Sequence, residues 1–168
     1  MVLSAMLLAL AIVLPFLTGQ IREIGNMLCP MHLPVILCGF ICGPVYGMAI
    51  GIIAPVLRFF LFGMPVIMPF GICMSAELAT YGLVSGLLYK FLPKEKIYIY
   101  VSLIAAMLSG RVVWGLMRTM FYGLGKAEFG WKLFIAGGFS SAIPGIILQI
   151  VLIPIIVMVH KKYILTKA

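Results

Sequence analysis

Six apolar stretches, separated by proline, glycine and charge, organise the chain. The first runs from about Val2 to Thr18, and the segment "GQIREIGNMLCP" leads to a second from about Met31 to Gly43. A third follows from about Pro44 to Leu61, and "FGMPVIMP" turns the chain into a fourth from about Phe70 to Tyr89. The fifth covers about Ile97 to Tyr122 and the sixth about Trp131 to His160. A helix needs roughly 20 residues to cross about 30 Å of hydrocarbon. At about 1.5 Å per residue the second stretch is too short to cross alone and is expected to stop partway. The pattern predicts an all-α integral membrane protein with six helices in a single domain, residues 1–168.

Composition sharpens this reading. The 168 residues are 64% hydrophobic and 10% charged, with a mean hydropathy of +1.25, well outside the range of a soluble domain of this size. The N-terminal run has no basic n-region and no small-x-small cleavage site, so it reads as a span and not a signal peptide. Cys29, Cys38, Cys42 and Cys73 lie in or beside apolar runs, which suits small packing side chains better than a disulfide framework. The net charge of +8 would suggest nucleic acid in a soluble protein. Here most lysines sit at the ends of apolar stretches, as membrane topology produces, so no nucleic-acid partner is expected. With both termini in the cytoplasm, Lys90, Lys94, Lys96, Lys161, Lys162 and Lys167 lie inside, and only Arg22, Lys126 and Lys132 outside. That asymmetry sets the expected orientation.

Small residues mark expected helix contacts. Gly39, Gly43, Gly47 and Gly51 recur every fourth residue, and Gly82 and Gly86 repeat the interval, a spacing that lets backbones approach closely in lipid. A helix break near Pro44 would interrupt the first series as a single ridge. The first span carries an A-x-x-x-A face through Ala5 and Ala9, suited to packing within the protein or on a partner.

Against this apolar background four charges fall inside the spans: Arg58, Glu77, Arg111 and Arg118. Each costs roughly 2.5–3.5 kcal/mol at the bilayer centre, so the four would cost on the order of 10 kcal/mol uncompensated. Glu77 shares a helical face with Tyr81, and Arg111, Trp114 and Arg118 form one stripe of the fifth span. Glu77 can neutralise one arginine; no other acidic residue lies in any span. Two readings fit. In one, Glu77 locks Arg111 while Arg58 and Arg118 snorkel to headgroups. In the other, the surplus guanidinium lines an outward-facing cavity that receives an anion, walled by Trp114 and Tyr81. His32 is a ligand contact or a helix-start histidine at the interface. Asn26 and Gln149, with Ser140 and Ser141, line the cavity or bond neighbouring helices. Cys29 and His32 alone are too few donors for a metal site, and no cofactor is expected.

The sequence also lacks the reagents of common enzymes. There is no G-x-x-x-x-G-K-[ST], no H-E-x-x-H, no G-x-S-x-G and no aspartate, so P-loop ATP hydrolysis, metalloprotease, serine-hydrolase and aspartyl chemistry are excluded. The chain reads as a transport protein and not an enzyme. A stand-alone carrier driven by protons through Glu77 is one form of that reading.

A second form comes from a resemblance. "LPFLTGQIREIGNMLCPMHLPVILCGFICGPVYG", "LRFFLFGMP", "AELATYGLVSGLLY", "LIAAMLSGRVVWG" and "SAIPGIILQIVLIP", in this order and over nearly the whole chain, resemble the substrate-binding S components of energy-coupling factor (ECF) vitamin transporters. The resemblance implies six helices, an outward-facing ligand pocket and no transport alone. It also implies docking of the Ala5–Ala9 face on a transmembrane coupling subunit that carries two cytoplasmic ATPases. The resemblance further implies that the protein topples in the lipid bilayer to carry its ligand across the cell membrane. The chain departs from the pattern in having no basic residue before the first helix. Ligands in the family include riboflavin, thiamine, folate, biotin, pantothenate, pyridoxine, cobalamin, queuosine precursors and metal ions. Metal-type members hold their ion with an N-terminal Met-His, whereas Met31-His32 is internal here. The excess of arginine points to an acidic ligand, with pantothenate first, and folate, biotin, riboflavin, pyridoxine and a queuosine precursor behind it.

Overall fold

The computed structural model describes residues 1–17, 28–63, 66–93, 95–124 and 143–167. These form six helices: α1 (Val2–Leu17), α2 (His32–Cys42), α3 (Pro44–Phe62), α4 (Ile72–Phe91), α5 (Lys96–Leu124) and α6 (Ile143–Lys167). A five-residue lead-in, Ile67–Gly71, precedes α4 and contains an extended residue, Met68, at φ −111° and ψ 135°. The all-helical architecture agrees with the apolar pattern. By length and composition, Pro44–Phe62, Ile67–Phe91, Lys96–Phe121 and Ile143–Lys162 can each cross a membrane, while the α1 and α2 segments are shorter. α6 runs on to Lys167, so Lys161 and Lys162, expected in a tail beyond the sixth span, are helical. The N-terminal part of that expected span, residues 131–142, lies outside the described residues.

Each long helix presents an apolar stripe outwards and a second one inwards. In α5, Ile97, Val101, Ile104, Leu108, Val112, Leu116 and Met120 are exposed. Ile99, Ser102, Leu103, Ala106 and Met107 are buried on the opposite face. Two apolar faces on one helix are what lipid on one side and a protein core on the other require. α1 follows the same rule: Ser4, Leu7 and Ala11 are buried, and Val2, Ala5, Met6, Ala9 and Val13 are exposed.

The second and third spans form a hairpin, not one continuous helix. Gly43, between Cys42 and Pro44, has φ 100° and ψ 171°, a region open essentially only to glycine. Pro44 then starts α3 at a position where its missing N–H costs nothing. The expected break at Pro44 therefore holds, and it changes what the glycine series does. Gly39 ends up on α2, and Gly47 and Gly51 on α3. A Cβ at Gly47 would lie 2.8 Å from the Cα of Gly39 and 2.7 Å from the carbonyl oxygen of Gly82. One at Gly86 would lie 2.6 Å from Pro44 Cα. Three backbones meet at these glycines, and α4 sits in the crook of the hairpin.

The same contacts fix the levels. Gly47 faces Gly82, and Gly51 faces Leu78 and Ala79, so α3 and α4 are antiparallel. Ser85 Oγ donates to the Ile36 carbonyl at 3.5 Å, and Phe40 stacks edge-on with Tyr89 at 5.2 Å, so α2 runs parallel to α4. Taking the end that bears Phe62 and Ile72 as the upper end, α2 fills only the lower part of the bundle. Its 11 residues span about 16 Å, roughly half of a 30 Å hydrocarbon layer. α2 packs against α1, α3, α4 and α6, and α5 against α4 and α6.

Candidate functional site

The upper end of the half-length α2 is where the polar side chains gather. Glu77, 3% exposed, projects from the second turn of α4. Its Oε1 accepts from Arg111 Nη1 of α5 at 2.9 Å and from the Tyr81 hydroxyl, one turn further along α4, at 2.8 Å. His32 Nε2, at the start of α2, lies 3.6 Å from the same oxygen, and its ring tilts over Tyr81 at 5.2 Å. Arg111 Nη2 approaches Cys29 Sγ at 4.0 Å. Cys29 has φ 46°, unusual for a residue with a Cβ, and it turns the chain into α2 at this point. Gly110 makes room for the arrangement: a Cβ there would overlap the Tyr81 ring, with Cζ at 2.9 Å.

This lower tier is electrically closed. A buried guanidinium and a buried carboxylate in contact offset each other's desolvation, whereas either alone would be costly. The phenol adds a hydrogen bond to a charged acceptor. Tyr81→Phe is accordingly expected to cost about 1.5–3 kcal/mol, read from unfolding in mixed micelles. A loss below about 0.5 kcal/mol would mean that the hydroxyl leaves the carboxylate readily for other partners.

Two further arginines form an upper tier. Extending the α3–α4 register, Arg58 lies seven residues beyond Gly51 and so is level with Gly71 and Ile72. It is 7% exposed, with its guanidinium 5.8 Å from the Phe16 ring of α1, which itself packs edge-on against Phe62 at 4.7 Å. Its Nη1 is buried without a hydrogen-bond partner. Arg118 of α5 stacks over Trp114 at 5.0 Å and over Phe70 at 5.6 Å, the flat cation–aromatic contact that guanidinium favours.

The structure thus brings together Glu77, Tyr81, Arg111 and His32, and sets Arg58, Arg118 and Trp114 above them. Gln149 is buried in α6, which packs on α2 and α5. Asn26, Ser140 and Ser141 lie outside the described residues. One expectation is corrected: His32 is not an interface histidine, since α2 begins inside the bundle and carries the ring to Glu77. The snorkelling reading fails for Arg58, which is buried beneath Phe16, while its other half, the Glu77–Arg111 lock, holds. Sequence reading weighed Cys29 only as a packing thiol or a metal ligand, and it missed Gly110, Phe16 and Phe70. The only signals were a glycine beside Arg111 and phenylalanines at span ends. Several hydroxyls take no part: Ser75, Thr80, Ser109 and Thr119 bond back to carbonyls three or four residues earlier in their own helices.

Lipid-facing helices around a buried cluster of ionised and aromatic side chains define a polytopic membrane protein of the transport type, because such groups inside a membrane mark ligand or ion sites. The chain belongs to the ECF transporter substrate-specific component family, whose model matches residues 1–157. It is a multi-pass protein of the cell membrane and the membrane-embedded, substrate-binding subunit of an ECF transporter. No curated protein and no solved structure matches it.

Proposed function

We propose that this subunit captures a small, anionic, water-soluble vitamin from outside the cell, with both termini in the cytoplasm. It delivers the ligand in partnership with a transmembrane coupling subunit and two cytoplasmic ATPases. The observation that carries the reading is Arg58: a buried guanidinium with no acidic side chain in contact among the described residues, next to a tier whose own charges cancel. A positive charge kept at that cost inside a membrane protein is most readily understood as a receptor for negative charge. Trp114, Tyr81, His32 and Gln149 supply the flat and hydrogen-bonding walls of the site. Pantothenate is the first candidate, followed by folate, biotin, riboflavin, pyridoxine and a queuosine precursor.

Mass spectrometry of small molecules released from the purified protein tests the ligand class. An anionic vitamin is the expected result, and recovery of only cationic or neutral compounds would overturn it. Ala5 and Ala9 lie on the exposed face of α1 and suit close docking of a partner helix. Ala5→Leu/Ala9→Leu is expected to weaken co-purification of the coupling subunit about tenfold, ~1.4 kcal/mol, with ligand content unchanged. Equal co-purification would move the docking face elsewhere. Protein reconstituted alone is expected to bind without accumulating ligand; uptake under a proton gradient would favour the carrier reading through Glu77.

A further inference from the structure

The two tiers differ in what they can offer a ligand, and the difference divides the work between the arginines. Arg111 already holds a carboxylate: Glu77 Oε1 is 2.9 Å from its Nη1, with the Tyr81 hydroxyl on the same oxygen at 2.8 Å. A ligand carboxylate placed there would crowd two like charges around one guanidinium in a low-dielectric setting. Among the described residues Arg58 has no such occupant. It is 7% exposed, its Nη1 has no hydrogen-bond partner among the described residues, and the aromatic ring beside it, Phe16, offers a π face and not a charge. In the lower tier, His32 is the side chain with unused capacity. It is 5% exposed, its Nε2 lies 3.6 Å from Glu77 Oε1, and its Nδ1 has no hydrogen-bond partner among the described residues. An imidazole nitrogen there can hydrogen-bond a hydroxyl or an amide.

We propose that Arg58, and not Arg111, takes the negative group of the ligand, while His32 beside the closed Glu77–Arg111–Tyr81 set takes an uncharged, hydrogen-bonding end. This rests on the anionic-ligand reading above and deepens it. The level of Arg58 meets α4 at Gly71–Ile72 and the lower tier meets it at Glu77, so the backbone levels differ by about 8 Å at 1.5 Å per residue. The ligand class that follows is an elongated monoanion with a carboxylate at one end and a hydroxyl, amide or ureido group at the other. A compact dianion, or a molecule whose charge lies at its centre, does not fit this division.

The test uses acid and neutral partners of nearly the same shape: pantothenate against pantothenol, and biotin against biotinamide. Equilibrium binding to the purified full-length protein is measured for each. Wild-type protein is expected to prefer the acid by at least about tenfold for one of the pairs. Arg58→Gln is expected to bring that ratio to within about twofold, and Arg58→Lys to retain most of it. Glu77→Gln/Arg111→Gln is expected to weaken both members of the pair and leave the ratio standing. A ratio that survives Arg58→Gln and collapses in Glu77→Gln/Arg111→Gln would overturn the assignment to Arg58 while leaving the anionic ligand intact. Wild-type protein that binds the neutral member as tightly as the acid, or binds none of the four, overturns the ligand reading and this inference with it. A ligand-free measurement stands beside these. Arg58→Met keeps the apolar stem and removes a charge that no acidic side chain contacts among the described residues, so its Tm is expected at or above that of wild type; a fall of several degrees would show that the guanidinium is held structurally.

Discussion

Arg111→Ala is expected to destabilise the protein by about 3–5 kcal/mol, because it leaves the Glu77 carboxylate buried without its cation. Glu77 is 3% and Arg111 8% exposed, so water cannot take the place of the lost partner. The pair joins the second turn of α4 to the middle of α5, and its loss also frees Tyr81 and His32 to rearrange. The decisive comparison is a double-mutant cycle. Glu77→Gln alone strands the guanidinium and is expected to be comparably harmful. Glu77→Gln/Arg111→Ala removes both charges and is expected to lose less than the sum of the two single changes by at least about 1 kcal/mol. Reversible unfolding in mixed micelles reads all three. Strict additivity would show that the two side chains do not act as a unit, and the closed character of the lower tier would fall with it. Loss of ligand binding in Arg111→Ala would not by itself mark Arg111 as a ligand contact, since the fold around the site is expected to loosen.

The second large effect is expected where no side chain exists. Gly82→Leu is expected to cost about 3 kcal/mol, near the upper end of overpacking penalties, and to lower the yield of folded protein. Any Cβ at Gly82 would overlap the backbone of Gly47, whose Cα stands 2.8 Å from that position. Backbone atoms cannot rotate aside as a flexible side chain would, so the α2–α3 hairpin and α4 must separate. Separation would remove the dispersion contacts that hold helices together in lipid, where the hydrophobic effect gives little drive for association. Leu87, exposed on the same helix, provides the control: Leu87→Ala is expected to change stability by less than about 0.5 kcal/mol. Equal effects at the two positions would mean that the close approach at Gly82 contributes nothing special.

The legibility of this protein in its sequence was uneven for physical reasons. Spans are set by composition over some twenty residues, because the hydrocarbon layer imposes the same demand on every crossing segment. α1 to α5 therefore fall close to the apolar stretches that announce them. The half-length of α2 was also readable, from a short apolar stretch, about Met31 to Gly43, closed by glycine and proline. The fate of the charges was only partly readable. One carboxylate and three guanidinium groups predict a pair and a surplus, but helical spacing cannot say which arginine is paired. That choice depends on the α4–α5 register, which brings Glu77 to Arg111, whereas Arg58 sits on α3 against Phe16.

What the sequence determined by itself is the solvent of each segment: lipid for the long apolar runs, and an obligatory internal setting for Glu77 and the arginines. The family follows from the order of those runs and their motifs. What only the tertiary structure decided is proximity. Gly43 folds α2 back against α3, three glycine-lined backbones close to contact, and the start of α2 then lands halfway up the bundle with His32 beside Glu77. Such contacts join residues far apart in the chain, 82 positions between Cys29 and Arg111, and no local pattern encodes the level at which two helices meet.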